Sequence, residues 1–283
     1  MKPAIVIQTD FSRDSSSVAT MYGVCQTVDP EVKVFDLTHS IPPFDIFEAS
    51  HMLKNTAPFW PEGTLFVSVV DPGVGTDRRG CVALLASGQY VVSPDNGSLS
   101  HVLRTPGIRA VREIDMTVNR WPHTLTCHIF HGRDVFAYTA IRLASGVIGF
   151  EGVGPAYPVG EIVVIPFDPP VCRDGVFTGI IESSGPYFGL VSSNIPDVMF
   201  IENGVRYGDV FHVEISHGRK LVYSGSVPFQ KSFGYVKKGQ PVLFVGATAT
   251  IQIALRERNI TKIHKIGAGP DWHISLAAGK RLD

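Results

Sequence analysis

Two runs of uninterrupted apolar, β-favouring residues constrain this chain most: Ala4-Ile5-Val6-Ile7, and the stretch from Thr64 to Val70. A strand without polar alternation has to be covered on both faces, and sheets covered on both faces are built with helical crossovers. The intervening residues carry that helical spacing. Ser15 to Val28 places Val18, Met21, Tyr22 and Cys25 on one stripe, with Asp14 or Ser15 as N-cap. Lys33 to Leu37 reads as a strand and Asp45 to Asn55 as a helix. Cys81 to Ala86 and Tyr90 to Val92 read as strands around a turn at Ser87-Gly88, and Asp134 to Ala144 as a later helix. The pattern predicts an α/β N-terminal domain with a central, mostly parallel sheet.

From about Gly160 the texture changes to short β-type runs: Glu161 to Ile165, Val176 to Ile181, Val210 to Ile215, Leu221 to Ser224 and Pro241 to Val245. A smaller, mostly β C-terminal domain is expected. The proline-rich stretch from Pro166 to Pro170 is the natural boundary, because proline cannot feed a central strand, which gives domains at 1–165 and 171–283. The formal net charge of −1 offers no global field to hold nucleic acid. Four cysteines without a C-x-x-C pair argue against a zinc knuckle or redox dithiol. With no signal-peptide core and no apolar run of membrane-spanning length, a cytoplasmic protein without a membrane partner is expected.

Asp10, Asp71 and Asp95 each follow an expected strand, and in open α/β sheets ligands bind beyond the carboxyl ends of strands. Aspartates are also common turn residues, so the coincidence of three carries the argument rather than any one. The run Asp71-Pro72-Gly73-Val74-Gly75-Thr76-Asp77-Arg78-Arg79 offers two glycines and a carboxylate seven residues before an arginine, yet lacks the ending of a phosphate-binding loop. Phe130-His131-Gly132-Arg133-Asp134 lies between the strand-like Thr124 to Phe130 and a helix that Asp134 is placed to cap. His123 and His128 lie close by in sequence, but no spacing matches a metal-binding set, and no metal is expected.

Taken together, Thr9-Asp10-Phe11, Asp36-Leu37-Thr38-His39-Ser40-Ile41-Pro42-Pro43-Phe44-Asp45, Val69 to Thr76 with Arg78-Arg79, Pro94-Asp95-Asn96-Gly97 and Phe130 to Asp134 resemble the S-adenosylmethionine (SAM) hydroxide adenosyltransferase family. These SAM hydrolases are related to fluorinase and chlorinase. The resemblance implies water attack on the 5′ carbon of SAM, giving adenosine and L-methionine without a cofactor. It implies Asp71, Arg78 and His131 as the catalytic set, Asp10 on the ribose hydroxyls and Phe44 against the ligand. On the same ground Asp95, Asn96, Phe188, Phe233 and Thr248 would join the substrate-binding set. It further implies a nucleoside-binding and catalytic role for 1–165 and a homotrimer with sites at subunit interfaces. Halogenating relatives replace the aspartate and carry a serine after the histidine; this chain has Asp71 and Gly132, the hydrolytic pattern. His39 is expected to be scaffolding.

Relatives carry Asp-x-x-Phe-Gly-Asn where this chain has Gly185-Pro186-Tyr187-Phe188-Gly189-Leu190, and a polar set where it has Gly246-Ala247-Thr248. Ser12 stands where the family often has glycine. The losses at Gly185, Leu190 and Ala247 fall on the methionine side, with Glu182 and Asp197 as candidate replacements for the missing acid. Three readings follow: a SAM hydrolase with a relaxed grip on methionine, a relative acting on another adenosyl or nucleoside compound, and a non-catalytic nucleoside-binding protein.

Overall fold

The structure, a computed structural model, describes residues 2–122 and 124–279. The chain divides into two compact units, 1–165 and 166–283.

In the first unit the elements run β1 (Ile5–Thr9), α1 (Ser17–Val28), β2 (Val34–Thr38), α2 (Ile46–Thr56), β3 (Leu65–Val69), β4 (Gly80–Leu85), β5 (Tyr90–Pro94), α3 (Ser100–Arg104), β6 (Ile108–Glu113), a π-helical turn (Gly132–Ala137), α4 (Tyr138–Ala144) and β7 (Ala156–Tyr157). They form one sheet in the order β2-β1-β3-β5-β4-β6-β7. Alternate residues of its central strands feed two separate cores. Ile5, Ile7, Val67 and Val69 pack with Met21 and Cys25 of α1 and Ala140 and Ile141 of α4. Val6 and Phe66 pack with Leu53 of α2 and Val102 of α3. This two-sided cover is why the strands carry no polar alternation, and each fully buried large side chain adds roughly 1.5–3 kcal/mol.

The sheet is mixed rather than mostly parallel. β2, β1, β3 and β5 are parallel, whereas β5-β4, β4-β6 and β6-β7 are antiparallel. The cause is local: β4 returns through a tight turn in which Gly88 adopts φ +84° and Leu85 and Gln89 are hydrogen-bonded, and so short a connection can join only antiparallel neighbours. Two expected strands are absent. Thr124–Phe130 is irregular, with the Arg120 guanidinium donating to the carbonyls of Thr124 and Cys127. Within 161–165, Val163 N–H donates to the Asp95 carboxylate and Ile165 N–H to Ser100 Oγ, so side chains take the hydrogen bonds a strand would use. Helix ends also shift. Ser16 is the N-cap of α1, without a side-chain bond, while Asp45 caps α2 by accepting from Glu48 N–H at 2.9 Å. Asp134 lies inside the π-helical turn and pairs with Arg133 at 2.6 Å, so it caps nothing.

The second unit contains β8 (Val171–Arg173), β9 (Val176–Ser184), β10 (Val191–Pro196), α5 (Asp197–Glu202), β11 (Val210–His217), β12 (Lys220–Pro228), β13 (Pro241–Val245), β14 (Thr250–Leu255), α6 (Ile260–His264) and β15 (Gly269–Ala278). Its sheet runs β12-β11-β15-β9-β10-β14-β13, with β8 on β9 and every pairing antiparallel. A bridge between Phe229 and Leu243 links the ends of that order, and the rings of Phe177, Phe200, Phe211 and Phe229 pack against one another in the core. No described helix is long and apolar enough to cross a membrane.

Candidate active site

Asp10, Asp71 and Asp95 sit just beyond the carboxyl ends of the adjacent parallel strands β1, β3 and β5. The three carboxylates have different fates. Asp71 meets Arg78 in a two-pronged pair: Arg78 Nε donates to Oδ1 at 2.8 Å and Nη2 donates to Oδ2. The same Nη2 lies 3.1 Å from His131 Nδ1. The structure thus brings Asp71, Arg78 and His131 together through one guanidinium, which is 5.2 Å above the ring of Phe136. The pair is largely withdrawn from solvent, with side-chain exposures of 11% for Arg78 and 6% for Asp71, where a charge-assisted, planar contact orients both partners.

Two glycines make the assembly possible. Gly75 has φ +79°, and a Cβ there would lie 2.7 Å from the carbonyl oxygen of His128, so only glycine lets the 71–79 loop approach the segment leading to His131. A Cβ on Gly132 would meet the Phe11 ring and Val69 at 3.2 Å, which fixes the residue after His131 against the loop after β1.

A guanidinium only donates, so His131 Nδ1 is the acceptor and the neutral ring carries its proton on Nε2. Burial, reinforced by Arg78 and Arg120, lowers the His131 pKa from its ordinary value, against the opposing pull of Asp71 and Asp134. The arrangement therefore supplies a carboxylate acceptor on one side of the guanidinium and, on the other, an imidazole whose Nε2–H is the donor.

Asp10 Oδ2 accepts from Phe44 N–H at 3.0 Å, and Phe44 is 70% exposed with φ +69°. Asp95, by contrast, is turned to internal work: it accepts from Tyr157 Oη at 3.0 Å and Val163 N–H at 2.8 Å, and lies 3.3 Å from Arg79 Nη2. Asn96 donates to the carbonyl of Val70 at 3.0 Å and accepts from Ser98, which secures the residue preceding Asp71. Phe188 (80% exposed), Phe233 (39% exposed, packed on Phe244) and the partly buried Thr248 belong to the second unit. Glu182 is buried in β9, and Asp197 N–H bonds the carbonyl of Ala249 beside Thr248. Among the described residues no group of three or more His, Cys, Asp or Glu is placed to hold a metal; His123 lies outside them.

Sequence reasoning missed Arg120 and Phe136, whose contributions come from loop and helix geometry with no motif to mark them. His39, expected as scaffolding, stands at the spacing Asp36-x-x-His39 and is hydrogen-bonded to Asp36 and Thr9.

The model for the SAM hydroxide adenosyltransferase N-terminal domain matches residues 5–154, and that for the C-terminal domain matches 187–273. The chain belongs to the SAM hydroxide adenosyltransferase family. The (R)-S-adenosyl-L-methionine hydrolase of Salinispora arenicola is 38% identical over 165 residues, a match that spans 58% of this chain and 61% of that protein. The hydrolase of the same name from Thermus thermophilus is 32% identical over 263 residues, 90% of this chain and 92% of its own. Among solved structures, an uncharacterized conserved protein from Thermotoga maritima superposes with a TM-score of 0.86 at 30% identity, covering 96% of this chain and 99% of that one. Ser12 has φ +60°, a left-handed conformation that glycine adopts without steric cost.

Proposed function

We propose that this protein hydrolyses S-adenosyl-L-methionine to adenosine and L-methionine. The observation that carries the reading is the convergence of Asp71, Arg78 and His131 on one guanidinium. A water accepts from His131 Nε2–H and donates to the Asp71 carboxylate, leaving one lone pair directed at the 5′ carbon. The oxygen–carbon bond forms as the carbon–sulfur bond breaks. The electron pair goes to sulfur, which departs as a neutral thioether and needs no acid, and the water's proton passes to Asp71 and then to solvent. Arg78 keeps its charge throughout and holds both partners in register. Asp10 binds the ribose hydroxyls and Phe44 packs on the ligand. Phe188, Phe233 and Thr248 serve the remainder of the substrate, while Asp95 and Asn96 act by holding the loops. In this reading 1–165 is the nucleoside-binding and catalytic domain and 171–283 the β-rich domain. The enzyme needs no cofactor or metal and works as a cytoplasmic homotrimer with sites at subunit interfaces, as the family resemblance implies.

A second reading, another adenosyl or nucleoside substrate, is favoured by the methionine side. Gly185 N–H bonds the carbonyl of Leu190 at 2.7 Å, and the Leu190 side chain packs on Val242, Phe244 and Ala254, an apolar contact in place of a polar one. Chromatography of products from SAM, with a halide control and an analogue lacking the amino-acid group, separates the two. Adenosine and methionine from SAM, lost in Asp71→Ala, support hydrolysis; adenosine from the analogue alone supports the second reading.

A further inference from the structure

Asp36, His39 and Thr9 form a line of hydrogen bonds that the attack on SAM does not use. His39 Nε2 lies 3.0 Å from Asp36 Oδ1, and His39 Nδ1 lies 2.9 Å from Thr9 Oγ1. Phe11 N–H in turn donates to Thr9 Oγ1 at 3.1 Å. The carboxylate only accepts, so Nε2 carries the proton, Nδ1 accepts from the threonine hydroxyl, and every proton in the line has one place. Asp36 is itself held by the hydroxyl of Tyr22 and the guanidinium of Arg13. Burial and Arg13 push the His39 pKa down to about 4, which keeps the ring neutral, as this line requires.

An aspartate, a histidine and a hydroxyl in sequence have the order of a nucleophile relay. That role is closed here, because Thr9 is 0% exposed and its oxygen is engaged by Phe11. What the line grips is the turn after β1. Through Thr9 the ring holds Phe11 N–H, and the carbonyl of His39 accepts from Ser12 N–H at 3.0 Å, so one residue fastens both sides of Asp10-Phe11. Ser12 sits at φ +60°, a left-handed conformation that persists only where neighbours enforce it. Five residues beyond His39, Phe44 delivers its N–H to Asp10 Oδ2 at 3.0 Å. The Phe11 ring, within the same turn, stands edge-on to Phe130 at 5.8 Å, beside His131.

We infer that His39 is a positioning residue for substrate recognition: through Thr9 and its own carbonyl it fixes the 9–12 turn, so that the Asp10 carboxylate and the Phe44 backbone form a preorganised seat for vicinal ribose hydroxyls. The inference rests on the reading that Asp10 is the ribose ligand. It contacts none of the Asp71–Arg78–His131 bonds, so its effect falls on binding rather than on the bond-breaking step.

Thr9→Val removes the hydroxyl at constant shape, and Thr9→Ser restores it. With SAM, Thr9→Val, which removes the hydroxyl's bonds to both His39 and Phe11, is expected to raise KM about tenfold, while kcat stays within about twofold. Thr9→Ser and the wild type should agree within about threefold in KM. Calorimetric titration with adenosine reads the same seat without turnover and should show the same order of affinities. Equal KM and adenosine affinity in Thr9→Val and wild type, or equal weakening in the valine and serine variants, overturns the inference while leaving hydrolysis intact. A wild type that binds adenosine but forms none from SAM refutes hydrolysis, and the affinity ranking then decides the inference alone. A wild type that neither forms nor binds adenosine overturns both.

Discussion

Arg78→Lys tests the geometry of the site most sharply, because it preserves the charge and removes the fork. Arg78 makes three contacts in the structure, two to the separate oxygens of Asp71 and one to His131 Nδ1. A lysine ammonium is a point donor on a shorter reach and cannot satisfy both oxygens and the imidazole at once. A charge-assisted hydrogen bond contributes about 1.5–3 kcal/mol; losing two while the charge partly compensates costs on the order of 3 kcal/mol. If the loss is felt in the transition state, where carboxylate and imidazole must hold the water together, it lowers kcat by about two orders of magnitude. The assay is the initial rate of adenosine formation from saturating SAM, with the thermal midpoint and circular dichroism recorded alongside to show that the variant is folded. A folded Arg78→Lys with kcat within about threefold of wild type refutes the argument that the guanidinium holds Asp71 and His131 in register.

Two further predictions concern stability. Asp95→Ala strands the hydroxyl of Tyr157 and the N–H of Val163, while Arg79 keeps its bonds to Glu161, and should cost about 3 kcal/mol of unfolding free energy with little change in KM. A raised KM at unchanged stability would instead mark Asp95 as a ligand contact. Acidification should also weaken the fold, because burial holds His39 down to about 4 and His51 to about 3, below the ordinary value of 6.5. The unfolded chain binds more protons in that window, so stability present above pH 6.5 is lost as pH falls toward 4, by up to about 1.4 kcal/mol per pH unit for each histidine. Denaturant midpoints that stay flat from neutral pH to about pH 5 would contradict this.

The sequence made the doubly covered strands legible because Ile5 to Ile7 and Leu65 to Val69 carry no alternation, and both faces are indeed buried. It made the change to a mostly β domain legible through the turns beyond Pro166. It did not reveal the sheet's change of direction. The cue was the short Ser87-Gly88 turn, which forces β4 antiparallel while the apolar run looks the same in either direction. Thr124 to Phe130 has strand composition, yet the nearby Arg120 side chain captures the carbonyls of Thr124 and Cys127, a side-chain capture that apolar patterning does not encode. The three carboxylates do lie together at the ends of adjacent strands, but the sequence could not rank them. Whether an aspartate faces a ligand or ties down a loop depends on partners such as Tyr157 and Val163, distant in sequence from Asp95. The pairing of Asp71 with Arg78 follows from their spacing only once Gly73 and Gly75 fold the loop back on itself.

In the proposed reaction one water, held by Asp71 and His131, becomes the 5′ hydroxyl of adenosine. Turnover of SAM in water enriched in oxygen-18, with mass spectrometry of both products, tests it directly. One labelled oxygen is expected in adenosine at the 5′ position, with unlabelled methionine, and the label is lost along with turnover in Asp71→Ala. Release of free adenine, or adenosine without the label, would contradict it.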